Sequence, residues 1–188
     1  LGVIMLIVVA MQIAATAVAS EKEEKTLETM LTVPISRFTI LVGKLAGSVI
    51  VAAVGAVAYM VGFTYYMGSF TAAFPSQAGL DLASLGLTPT VPAYLVLGAS
   101  LFVSLLSALA LAIAISSFAE DVRSAQAMVG YLYVIVFVPM IFLMYADVNA
   151  LPLPLQLALF AIPYTHPMLA ARAAFTEEYT LAVLGIVY

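Results

Sequence analysis

Few residues in this 188-residue sequence have the types and spacing that nucleotide binding needs. Gly43 and Lys44 resemble the end of a phosphate-binding loop. Such a loop also requires a glycine five residues before Gly43 and a Ser or Thr after the lysine. Phe38 and Leu45 occupy those two positions. The sequence therefore predicts that this chain binds no ATP and holds no cofactor.

His166 is the only histidine, and the chain has no cysteine. A His-Glu-x-x-His metal site is therefore absent, and thiolate metal sites and disulfides are excluded. No serine lies in the Gly-x-Ser-x-Gly elbow of a hydrolase nucleophile. These absences disfavour a catalytic His166. We interpret it as a polar cap on a short helix near the outer surface.

The charged residues are concentrated in residues 21–44, which read EKEEKTLETMLTVPISRFTILVGK. This stretch holds four of the six basic and four of the ten acidic residues. Read as a helix, residues 21–31 place Leu27, Met30 and Leu31 on one face and glutamates on another. Pro34 breaks that helix, and Ser36 can cap the next. The pattern predicts two helices joined at a proline corner.

Two interpretations of this segment are open. Its charges could serve only to fix the orientation of the chain in a membrane. Alternatively, an apolar stripe surrounded by charges of both signs suits docking onto a soluble partner. The stripe, the corner and the acidic residues favour docking, because orientation alone requires only basic residues.

The composition indicates that most of the chain is surrounded by lipid. Hydrophobic residues make up 65% of the sequence, charged residues 9%, and the mean hydropathy is +1.18. Soluble domains carry about 25% charged residues. There is no basic excess that would indicate a nucleic-acid partner. The expected surroundings are therefore the lipid bilayer.

Charge-free runs predict an all-α, polytopic transmembrane helix bundle that forms a single domain. A span needs about 20 apolar residues. We expect spans at residues 1–20, 45–67, 92–119 and 124–146, and the start of a fifth at 180–188. Pro92 suits the first turn of the third span. Because both ends lie in apolar runs, we expect the chain to be the middle of a longer membrane protein.

The distribution of Lys and Arg predicts the orientation of these spans. Five of the six basic residues lie in 21–44 and 120–123, which are therefore expected to be cytoplasmic. Arg172 is the only basic residue in the stretches expected outside. The stretch 147–179 is apolar but interrupted by prolines, so no full span fits there. We expect two broken half-helices instead, at 155–162 and 167–175, in the outer leaflet or packed on the bundle.

Small residues recur every fourth position in two spans and predict faces for close helix packing. In the third span they are Ser100, Ser104, Ala108, Ala112 and Ser116, and in the second Ser48, Ala52 and Ala56. Packing within one chain is the preferred interpretation, and contact across a dimer is the alternative. Four polar residues could line a path or simply pack: Gln12, Thr16, Tyr131 and Tyr133.

In its motifs the chain resembles the ABC-2 type transporter permeases, the NatB-like membrane subunits of ATP-binding cassette exporters. The segment EKEEKTLETML, then PISR and GK, is similar to their cytoplasmic signature. Lys25 stands where the family usually has Gly, and Val33 where Thr or Ser precedes the proline. The similarity continues through AISSFAEDVRSAQA, a span with the central Pro139, and IPYTHPMLAARA.

This resemblance implies an ABC-2 or type V exporter-like transmembrane domain in the cell membrane. It implies that residues 21–44 dock on a separate ATP-binding cassette ATPase subunit, which binds the ATP. A second permease copy or a homologue is expected to complete the transporter, while this chain is not an enzyme. By resemblance, the coupling residues are Glu21, Glu23, Thr26, Leu27, Glu28, Pro34, Arg37 and Lys44.

Two alternatives belong to other functional classes. A secondary transporter or channel without an ATPase would be favoured by ionisable groups buried in spans, or by an internal repeat. An intramembrane enzyme would need paired catalytic residues at matching depth. The sequence shows neither pattern, so the exporter subunit is preferred.

Overall fold

The structure, a computed structural model, describes residues 2–24, 36–73, 90–146 and 148–176. Within these ranges every regular element is helical. The long helices are α1 (Gly2–Glu23), α2 (Arg37–Ala73), α3 (Val91–Ser116) and α4 (Val122–Tyr145). All four are long and apolar enough to cross a membrane. The predicted all-α transmembrane bundle is confirmed.

Helix α3 lies at the centre of the bundle, packed against α1, α2 and α4. It begins after Thr90 with Pro92 in its first turn, as its sequence predicts. Proline suits this position because the first N–H groups of a helix have no partner within the helix. The main core is built from apolar residues of all four long helices, so α3 holds the bundle together.

Helix α2 has 37 residues and is therefore about 55 Å long, well beyond the hydrocarbon core of about 30 Å. It extends past the expected span 45–67 at both ends. Ser36 caps its start, since the Ser36 hydroxyl accepts a hydrogen bond from the Thr39 N–H at 3.2 Å. Ala52 and Ala56 are buried. The opposite face is exposed.

Helix α4 begins with a capping box at Asp121. The Asp121 carboxylate accepts from the Ser124 N–H at 2.6 Å, and the Ser124 hydroxyl accepts from the Asp121 N–H at 3.2 Å. Pro139 lies inside the helix and is buried. A 3-10 turn, Val148–Ala150, follows the helix.

The proline-interrupted stretch forms two short helices that enter the bundle. These are α5 (Leu153–Phe160) and α6 (His166–Thr176), joined through a 3-10 turn at Pro163–Thr165. The Ser104 hydroxyl donates to the Pro163 carbonyl at 2.6 Å, and Ser104 lies halfway along α3. The turn therefore reaches the middle of the bundle. We call residues 153–176 the re-entrant hairpin.

Irregular backbone at this depth needs partners inside the protein, because lipid supplies none. Besides the bond from Ser104, the Thr165 hydroxyl lies 2.8 Å from the Leu159 carbonyl and 2.7 Å from the Ile162 carbonyl. Thr165 is fully buried, and Tyr164 packs in the main core. The hairpin tip is therefore covered by protein and bonded to it.

Candidate functional site

The charged C-terminal end of α1 joins the ends of the other three long helices. Glu21 forms an ion pair with Lys44 of α2, with 2.5 Å between the Glu21 Oε2 and Lys44 Nζ atoms. Neither side chain is fully buried. The pair fixes the last turn of α1 against the third turn of α2. Residues 20–24, 36–44 and 117–124 thus lie at one end of the bundle, which we call the charged end.

Lys22 connects α1 to the C-terminus of α3. Its ammonium group donates to the Ser117 carbonyl and, at 2.9 Å, to the Ala119 carbonyl. The last carbonyls of a helix lack partners within the helix and carry partial negative charge. Because α3 has no basic residue in its own last turn, Lys22 supplies the positive charge from another helix.

Glu23 connects α1 to the N-terminus of α4. Its Oε2 atom accepts a hydrogen bond from the Val122 N–H at 3.3 Å. The first N–H groups of a helix favour a negative charge nearby. Lys22 and Glu23 therefore match opposite partial charges on two neighbouring helix ends. As a result, the α3–α4 turn is bonded directly to α1.

The α3–α4 turn presents both charged and aromatic side chains. Phe118 is 79% exposed, and Phe38, at the start of α2, is 73% exposed. Glu120, Asp121 and Arg123 are also exposed. Hydrogen bonds from the Ser124 N–H and hydroxyl group lower the pKa of Asp121, so this carboxyl is ionised at neutral pH. Exposed aromatic residues such as Phe118 and Phe38 are enriched in protein–protein interfaces, whereas Glu and Asp are not.

The structure brings together three of the eight coupling residues expected from sequence. Glu21, Glu23 and Lys44 all lie at the charged end and all bond within the chain. Arg37 begins α2, but only its backbone is described. The remaining four coupling residues lie outside the described residues: Thr26, Leu27, Glu28 and Pro34. The predicted apolar stripe of Leu27, Met30 and Leu31 lies outside them too.

Sequence reasoning did not include Lys22 among the coupling residues, although Lys22 makes the connection to α3. Its partners are main-chain carbonyls 95 and 97 residues away along the chain. A carbonyl carries no signal in a sequence. Two separate features of the sequence indicate this bond. Lys22 lies in the last turn of α1, and α3 has no basic residue in its own last turn.

The small face of α3 is buried within the chain. Its members are all at most 1% exposed: Ser100, Ser104, Ala108, Ala112 and Ser116. The Ser100 hydroxyl donates to the Leu97 carbonyl at 2.9 Å, and that of Ser116 to the Ala112 carbonyl at 2.6 Å. This burial is what packing within one chain requires.

The other polar residues singled out by sequence have separate environments. Tyr133 donates a hydrogen bond to the Gln12 side chain, and Thr16 bonds to carbonyls of its own helix. Tyr131 is 77% exposed on the outside of α4. His166 is buried at the first residue of α6. The described residues contain no cluster of His, Asp or Glu suited to a metal ion.

Comparison with known proteins identifies a family. The sequence pattern of the family described as ABC-2 family transporter protein matches residues 1–182. No curated protein and no solved structure matches the chain. The match covers all four long helices, the charged end and the re-entrant hairpin.

Proposed function

The chain belongs to the ABC-2 transporter family, and we propose that it is the membrane subunit of an exporter powered by a separate ATP-binding subunit. Membership of this family and four apolar helices make it a membrane transport protein. We further propose that the chain is a NatB-like subunit whose ATP-binding partner drives export. It would lie in the plasma membrane with its charged end in the cytoplasm.

One observation carries the coupling proposal. The end of α1 is bonded to α2 through Glu21, to α3 through Lys22 and to α4 through Glu23. A partner that displaces residues 21–44 would therefore move all four helix ends together. Transmission of a rigid-body movement requires such a connection, because a loop without bonds to the bundle would absorb the displacement.

We propose that these residues divide the work of coupling. Glu21, Glu23 and Lys44 bond within the chain and would transmit movement. Thr26, Leu27, Glu28, Pro34 and Arg37 would form the surface that the ATP-binding subunit contacts. ATP would be bound by that subunit, which agrees with the missing phosphate loop around Lys44.

Two copies of the membrane subunit, or one copy and a homologue, would enclose the transport path. The exposed face of α2 is available for such a contact, since a side chain added at Gly43 or Gly47 would meet no neighbouring atom. Close approach between helices requires small residues of this kind. A secondary transporter is less well supported, because among the described residues no charged side chain lies in the middle of a long helix.

Charge reversal in the docking surface tests the proposal. Glu28→Lys and Arg37→Glu should each reduce co-purification with the ATP-binding subunit and abolish ATP-dependent export from vesicles. Membrane insertion should be unchanged. Glu177→Lys, in the stretch expected outside, is the matched control and should leave both association and export intact. Normal association and export in both docking variants would refute the coupling role.

A further inference from the structure

A groove of about 170 Å³ lies between α1 and α2, with α3 as its floor. Apolar side chains form most of its walls: Ile13, Ala14, Ala17, Val18, Val51, Leu109 and Ile113. Glu21, Lys44 and Ser48 form one end of the lining. Ile13 and Val51 are 59% and 51% exposed, so the groove opens sideways from the bundle. In a membrane, that opening faces lipid.

The dimensions of the groove suit one hydrocarbon chain. Along α1 it runs from Glu21 to Ile13, a rise of about 12 Å, and along α2 from Lys44 to Val51, about 10 Å. Its volume is below the roughly 300 Å³ at which sites for drug-sized molecules begin. The groove starts at the level of the charged end and extends into the apolar part of the bundle.

The charges at the end of the groove determine which headgroup fits. Glu21 and Lys44 lie side by side, 2.5 Å apart. An ammonium group has three donors, and a carboxylate can accept several hydrogen bonds, so each can bind a further group of opposite charge. A headgroup with both a phosphate and a primary ammonium complements this pair. A choline headgroup has no N–H to donate, and a glycerol headgroup has no cation.

We propose that the groove is a binding site for a phospholipid of the phosphatidylethanolamine type. One acyl chain packs against Ala17, Val51 and Leu109. The phosphate binds Lys44, and the ammonium binds Glu21. Glu21 and Lys44 also belong to the proposed coupling machinery, but the lipid site does not rest on coupling to an ATPase.

Native mass spectrometry of the purified protein in detergent tests the proposal. Phosphatidylethanolamine, phosphatidylcholine and phosphatidylglycerol with identical acyl chains are added in turn. We expect phosphatidylethanolamine to bind roughly tenfold more tightly than phosphatidylcholine, the effect of one charge-assisted hydrogen bond. Glu21→Gln should remove most of this preference.

Two substitutions separate the acyl-chain groove from the headgroup. Ala17→Phe fills the groove and should abolish tight binding of every lipid. Ala53→Phe adds the same ring to an exposed position of α2 outside the groove and should leave binding unchanged. If Ala17→Phe protein does not fold, Ile13→Trp at the exposed rim replaces it. The headgroup comparison on the unmodified protein requires no variant.

Three results would overturn the proposal. Equal binding of the three lipids would show that the charged pair selects no headgroup. Preference for phosphatidylglycerol would show that Lys44 acts alone, without Glu21. Identical lipid binding by the Ala17→Phe and Ala53→Phe proteins would place the lipid elsewhere. None of these results depends on ATP or on transport, so they are separate from the coupling test.

Discussion

Two basic residues act in the same way at opposite ends of the bundle. Lys22 donates to carbonyls that follow α3, and Arg172 donates to the Leu143 and Ala146 carbonyls at the end of α4, at 3.2 and 2.7 Å. Neither helix has a basic residue in its own last turn. Each cation therefore serves a helix other than its own, and both stabilise tertiary structure as well as a helix end.

Lys22→Met should lower the free energy of unfolding by about 1–2 kcal/mol, because two carbonyls lose a charged donor. Lys22→Arg retains the charge and should retain most of the stability. The measurement is thermal unfolding of the detergent-solubilised protein. Lys25→Met removes a positive charge from the same stretch and serves as the control. An equal loss in both Met variants would attribute the effect to net charge.

The lowered pKa of Asp121 predicts that the stability of the protein depends on pH. This pKa is lowered from 3.8 because the Ser124 N–H and hydroxyl group bond to the carboxylate. A lowered pKa means that folding favours the charged form. The stabilisation is therefore complete above the ordinary pKa and is lost as the pH falls through the folded-state pKa. Asp121→Asn should remove this loss of stability at low pH, because asparagine does not titrate.

The check compares melting temperatures of the two proteins across the acid range. The original protein should lose more stability than Asp121→Asn between neutral pH and about pH 2. Other carboxyl groups titrate in both proteins, so the difference between the two curves isolates Asp121. Parallel curves would contradict the assignment.

Among the elements, the re-entrant hairpin depends most on partners elsewhere in the chain. Its prolines predict the breaks, and its two helices, Leu153–Phe160 and His166–Thr176, lie close to the expected 155–162 and 167–175. Its depth, however, is determined by the Ser104 hydroxyl on α3. A regular pattern of small residues predicts close packing, but it does not reveal which element is packed there.

Ser104→Ala should destabilise the protein by about 1 kcal/mol, because the Pro163 carbonyl loses a buried donor. Ser117→Ala is the matched control. The Ser117 hydroxyl is exposed and bonds to a carbonyl of its own helix, so its removal should have little effect. Unfolding in a denaturing detergent measures both. Equal stability of the two variants would show that the bond to Pro163 contributes little.

At the scale of the whole molecule, the fold was more predictable than the site. Hydropathy predicts four helices, and Ser36 and Pro92 mark two helix starts, because these signals are local. The charged end depends on contacts between residues far apart in sequence. The sequence predicts Glu21 and Lys44 in one coupling segment. Their ion pair, however, joins α1 to α2, and it forms because both of these helices pack on α3.

The orientation of the molecule in the membrane can be tested directly, since the sequence has no cysteine. Single cysteines at Ser36 and Glu120 should react with a membrane-impermeant maleimide from the cytoplasmic side only. A cysteine at Leu153, an exposed residue of the re-entrant hairpin, should react from the opposite side. Labelling of Ser36→Cys from outside would exclude contact with a cytoplasmic ATPase.

Because the tip of the re-entrant hairpin reaches the middle of the bundle, it lies a short distance along α3 from the charged end. From Ser104 to the end of α3 at Ser116 is a rise of about 18 Å, roughly half the length of this helix. A displacement entering through Lys22 would travel along fewer than four turns of one helix before it reached the carbonyl of Pro163. The half of the bundle beyond the hairpin tip would not need to deform for the two regions to respond to each other.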